Sequence, residues 1–170
     1  MIWEARMMPN QLDPFPARRL SAAMVAFAAA LGLHGFDHLR RGMAASPPPI
    51  MVGGLIQGLF VAVAAVLVLS HHRWAGQAAI VSGFGSALVF TYAHLLPTFL
   101  PGYQDSFVSG PRINVTWFSW LTAVAEIAAG LVLGFAGVQA RRCASPNPSA
   151  VGRSTIPATK HSAGQKNRTA

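Results

Sequence analysis

Acidic side chains are nearly missing from this chain: five Asp and Glu stand against thirteen Lys and Arg in 170 residues. Charged residues of both signs make up only 11% of the sequence, whereas a soluble globular domain carries about 25%. Cysteine is scarcer still. Cys143 is the only one, which excludes an intrachain disulfide and a thiolate metal cluster. It follows Arg141 and Arg142 and reads as an inert interfacial thiol. No P-loop, Gly-rich dinucleotide fingerprint, HExxH pair or nucleophile-elbow serine occurs, so the common nucleotide, zinc-protease and hydrolase chemistries lack their signatures. Matched broken helices, the mark of a secondary transporter, are missing too. The formal charge of +8 does not point to nucleic acid. The basic residues flank apolar runs or fall in the last thirty positions, with no nucleic-acid reading motif beside them.

What the chain does have is apolar length. Hydrophobic residues make up 52% of it, and they collect in four runs: about Leu20–Leu39, Ile50–Ser70, Trp74–Leu96 and Ile113–Ala140. Each is about twenty residues or longer, as a hydrocarbon core of about 30 Å requires. The reading is an all-α integral membrane four-helix bundle over residues 20–140. A polar tail over 1–19 precedes it, and a basic tail over 141–170 too poor in large apolar side chains to order itself follows. Pro9, Pro14 and Pro16 are expected to exclude a regular helix from the first tail. The first apolar run continues to Leu39 with no polar mature start behind a cleavage site, so it reads as a retained span.

Orientation follows from the cations. With both termini inside, Arg6, Arg18, Arg19, Arg73, Arg141, Arg142, Arg153, Lys160, Lys166 and Arg168 are cytoplasmic, and Arg40, Arg41 and Arg112 are outside. Cytoplasmic ends carry the Lys and Arg excess, so a plasma-membrane protein with cytoplasmic termini is expected. Arg40 and Arg41 dissent, either snorkelling to headgroups or pairing with Asp37 or Asp105. The loop TFLPGYQDSFVSGPR, residues 98–112, is aromatic enough to lie over the bundle end as a lid.

Small residues place the helix contacts. Gly54 and Gly58 form one GxxxG pair, Gly130 and Gly134 another, and Gly83, Ala87 and His94 share a stripe of the third span. Glu126 precedes Gly130, Gly134 and Gly137 on one face, so it should point at a neighbouring helix.

Polar residues within spans are costly, about 2.5–3.5 kcal/mol each on insertion scales, and so mark candidate sites. His34, Asp37 and His38 share one helical face, and the topology brings them to the same end as His94 and Gln57. Glu126 lies deeper. Imidazoles at i, i+4 can share a metal ion, to which His94 would add a third nitrogen and Asp37 or Glu126 an oxygen. Such a set suits Zn, Fe or Cu. Alternatively, Asp37 orients an imidazole, or His34 and His94 serve as axial ligands to a b-type haem. Against these stands a purely structural reading. Asp37 pairs with Arg40 or Arg41, Gln57 and Glu126 act as interhelical glue, and the protein is a non-catalytic scaffold. Membrane lipids are the sure partners, with a homo-oligomer or a larger membrane complex open.

The segments HGFDHLRRG, AHLLP and SWLTAVAEIAAGLVLG resemble small four-span membrane proteins of high-GC bacteria over about residues 30–138. That resemblance implies the topology. It carries no assigned activity.

Overall fold

The computed structural model describes residues 14–42 and 44–144. Among them the chain is all-helical: α1 Pro14–Arg41, α2 Pro48–Leu69, α3 Ala75–Phe90 continued by a π turn over Thr91–Leu95, and α4 Trp117–Ala144. All four are long and apolar enough to cross a membrane. The architecture is that of a multi-pass membrane protein. Residues 1–13 and 145–170, most of the two tails, lie outside the described residues.

Two helix starts differ from expectation. α1 begins at Pro14, inside the segment from which prolines were to exclude helix. A first-turn residue donates no intrahelical hydrogen bond, so the missing N–H costs nothing there. α4 begins at Trp117, four residues after Ile113. Asn114 adopts φ 51°, a left-handed conformation that Asn tolerates. The carbonyls of Ile113 and Asn114 turn instead to Arg41 Nε at 3.1 Å and an Arg40 guanidinium nitrogen at 2.9 Å.

α4 packs between α1 and α3, while α2 lies outside against α3 and α1. Only 17% of the apolar window of α2 is buried, against 39% for each of the other three. Glycine explains the contrast. Gly130 and Gly134 let α4 approach α3 so closely that a Cβ on Gly83 would lie 2.5 Å from both Gly130 O and Gly134 N. On α2, a Cβ on Gly54 or Gly58 would meet nothing within 4 Å. One GxxxG pair makes a helix contact, and the other faces outward. Leu20, Met24 and Phe27 of α1 join Val61 and Val68 of α2, Ala79 of α3 and Leu133 of α4 in the apolar core.

The third span ends in a way that shapes the site. Pro97 forces Leu96 into extended backbone (φ −92°, ψ 152°), leaving the carbonyls of the last turn without helical donors. The loop after Pro97 supplies them. Gln104 Nε2 donates to Tyr92 O at 2.9 Å, Asp105 N to Ala93 O at 3.1 Å, and Phe107 N to His94 O at 2.8 Å. Ser106 Oγ donates to Leu96 O at 2.6 Å. The expected lid is therefore a helix cap, with Gln104 to Phe107 buried and Phe99 and Tyr103 exposed.

Candidate metal centre

Three imidazoles meet beneath this cap. His34 and His38, one turn apart on α1, project together. His94 reaches them from the π turn, where an extra residue per turn re-aims the side chain. His34 Nε2 lies 3.1 Å from His38 Nε2 and 3.2 Å from His94 Nε2. His34 and His94 are buried, while the His38 side chain is 15% exposed and faces the way out.

The other ring nitrogens decide what these contacts are. His94 Nδ1–H donates to the Asp105 carbonyl at 3.0 Å. Ser46 Oγ spends its proton on Asp105 Oδ2 at 2.7 Å, so at 3.0 Å it accepts from His38 Nδ1–H. Thr122 Oγ1 donates to Ser119 O at 3.1 Å, and so accepts the longer 3.4 Å contact from His34 Nδ1–H. With a proton on every Nδ1, the lone pair of His34 Nε2 faces those of His38 Nε2 and His94 Nε2. Such an array is repulsive as it stands. A proton relieves one pair, whereas a cation at the centre relieves both.

The spacing suits a cation. Tetrahedral bonds of about 2.0–2.1 Å hold two nitrogens about 3.3–3.4 Å apart, so small outward movements of the rings complete the geometry. Three protein nitrogens leave a fourth position open. Fixing each imidazole by its far nitrogen is also how metal-binding histidines are oriented. The b-type haem fits poorly. Axial nitrogens on opposite sides of an iron lie about 4 Å apart (twice the bond length above), wider than the 3.2 Å between His34 and His94. Phe90 packs on His34 at 5.0 Å and Phe107 on His94 at 4.7 Å between ring centroids, filling the flanks a macrocycle would need.

The carboxylates stand elsewhere. Asp37 Oδ1 accepts from Arg40 Nε at 2.9 Å, and Asp37 lies outside the group of mutually close ligand atoms, which is His34, His38 and His94. Glu126 is also outside that group. It is fully buried, as its position on the glycine face of α4 required, and neither oxygen has a hydrogen-bond partner among the described residues. Gln57 lines a cleft between α2 and α3.

Asp105 is the carboxylate that serves the centre. Its Oδ2 lies 4.0 Å from both His38 Nδ1 and His94 Nδ1, and its backbone carbonyl orients His94. Buried Arg41 pairs with it at 2.6 and 2.8 Å and stacks over Phe107 at 5.2 Å. Burial pushes the Asp105 carboxyl up. The hydrogen bonds from Arg41 and Ser46, followed by the Arg41 charge, outweigh that and hold it below its ordinary value of 3.8. The sequence named Asp105 only as a partner for Arg40 or Arg41, and the Arg41 pairing is found. Its role behind the imidazoles had one sequence signal, as the lone acidic residue of the aromatic loop. Ser46 and Thr122 had none.

Searches against protein-family models, curated proteins and solved structures return no match to this chain.

Proposed function

We propose that this multi-pass membrane protein holds one transition-metal ion among His34, His38 and His94 and serves as an accessory subunit in metal handling or electron transfer. One observation carries the reading: the Nε2 atoms of His38 and His94 lie 3.1 and 3.2 Å from that of His34, the three residues' ligand atoms fall within 4.8 Å of one another, and every Nδ1 has its own hydrogen-bond partner. Neutral imidazoles suit Zn, Cu or Fe. Asp37 and Glu126 take no part in holding the ion. The site opens on the outer face of a bacterial plasma membrane, with both termini cytoplasmic. The two arginines that opposed this orientation are both neutralised, Arg40 by Asp37 at 2.8 Å and Arg41 by Asp105.

Elemental analysis of the purified full chain after incubation with Zn(II) or Cu(II) tests this. We expect one ion per chain, and loss of that ion in His38→Ala with membrane accumulation unchanged, since His38 is the least buried of the three. A wild-type sample that stays metal-free after reconstitution would overturn the reading. So would a His38→Ala protein that keeps its metal; a scaffold instead predicts that His34→Ala and Glu126→Ala lower stability and membrane accumulation together.

A further inference from the structure

Between α2 and α3 lies a cleft of about 480 Å³ that none of the three imidazoles lines. It lies near mid-span. Gln57 is nine residues into α2, about 14 Å of helix rise, and Ser82 and Ser86 occupy the central turns of α3. In a hydrocarbon core of about 30 Å that is close to the bilayer midplane. The walls are apolar (Ile56, Phe60, Val81, Val89), and a Cβ on Gly53 or Gly85 would meet nothing within 4 Å, so these glycines deepen the cleft.

Three polar residues, Gln57, Ser82 and Ser86, interrupt the apolar lining. Gln57 Nε2 and Ser82 Oγ are buried without a hydrogen-bond partner among the described residues, and Ser82 is only 8% exposed. Thr91, farther along the same span, donates back to the Ala87 carbonyl at 2.7 Å, as hydroxyls in membrane helices commonly do; Ser82 does not. At this depth no water reaches a free donor, so each calls for an acceptor from a ligand. A carbonyl oxygen has two lone pairs and can accept both.

We propose that this cleft binds the carbonyl-bearing ring of a lipid-soluble quinone, with Gln57 Nε2 and Ser82 Oγ donating to it. Depth selects this ligand over a phospholipid. Phospholipid ester carbonyls lie at the edge of the hydrocarbon, about 15 Å from the midplane, while a quinone ring travels within it. The volume falls in the range of about 300–1,000 Å³ usual for small-molecule sites. None of the cleft residues belongs to the metal centre, so the two sites stand or fall separately.

Binding of tritiated decylubiquinone to the full chain in phosphatidylcholine nanodiscs, with empty nanodiscs subtracted, tests the proposal. We expect saturable binding of one molecule per chain. The Gln57→Leu/Ser82→Ala double variant should bind at least tenfold more weakly while eluting as the same monodisperse species. Gly85→Phe, which fills the cleft from an open position, should abolish binding. Decylbenzene, which lacks the carbonyl, should not compete. Uptake no greater than in empty nanodiscs would overturn the proposal, as would wild-type affinity in the double variant. Equal competition by decylbenzene or by a short-chain phosphatidylcholine would also overturn it.

Discussion

At the scale of single residues, what separates the polar side chains of this bundle is whether a partner lies within reach. Asp37 and Asp105 each meet an arginine, at 2.8 and 2.6 Å respectively. Glu126 has no hydrogen-bond partner among the described residues, although it is wholly buried. A buried polar group without a partner costs about 1–3 kcal/mol, and the three imidazoles complete their set without this carboxylate. We therefore expect Glu126→Leu to raise the melting temperature and to leave metal stoichiometry unchanged, as thermal unfolding and elemental analysis would read. A lost ion in that variant would place Glu126 at the metal after all. Sequence reasoning located Glu126 correctly, because i+4 spacing from Gly130 fixes which way a helical side chain faces. Its chemical part was not legible there, because a facing direction does not say which atoms stand opposite.

At the scale of elements, two GxxxG pairs of the same spacing have opposite fates, one packed against a helix and one facing outward. A methyl group on Gly83 collides with α4 backbone at 2.5 Å, whereas one on Gly58 meets open space. Gly83→Ala should destabilise the bundle by about 1–3 kcal/mol, the cost of overpacking a close contact. Gly58→Ala should be near neutral, and chemical denaturation in detergent compares them directly. The capping loop has its own sensitivity. Because the Asp105 carboxyl is held below 3.8 in the folded protein, its contribution to stability is complete above that value and is lost as the pH falls through the lowered one. Amide protection of Asp105 and Phe107 in hydrogen exchange should persist at neutral pH and disappear under strong acid. Asp105→Asn should weaken the loop at neutral pH by about 3–5 kcal/mol, since it leaves the Arg41 charge buried and unpaired. That this loop lies over the bundle end was legible from Phe99, Tyr103 and Phe107. That its backbone caps the third span was not, because the carbonyls concerned become free only once Pro97 and the π turn have ended the helix.

At the scale of the whole molecule, the imidazole cluster ties α1 to the end of the third span, and the α4 hydroxyl of Thr122 contacts it from behind. An ion bound only by the folded state stabilises the molecule by about 2.7 kcal/mol at one hundred times its dissociation constant. We expect Zn(II) to raise the melting temperature of the wild type and to leave that of His34→Ala/His94→Ala unmoved. The sequence by itself determined the four apolar spans, the meeting of their polar ends and the burial of the Gly130–Gly134 face. Hydrocarbon thickness and helical periodicity act on residue spacing alone, and spacing is all a sequence needs to express them. Only the tertiary structure decided that three imidazoles converge without Asp37 or Glu126, that Asp105 stands behind them, and that Gln57 faces a cleft. Those outcomes rest on a π turn, a capped helix end and unequal glycine packing. The cap bonds join residues ten to thirteen places apart, the Gly83–Gly130 approach spans forty-seven and the His34–His94 contact sixty, separations over which helical periodicity carries no information.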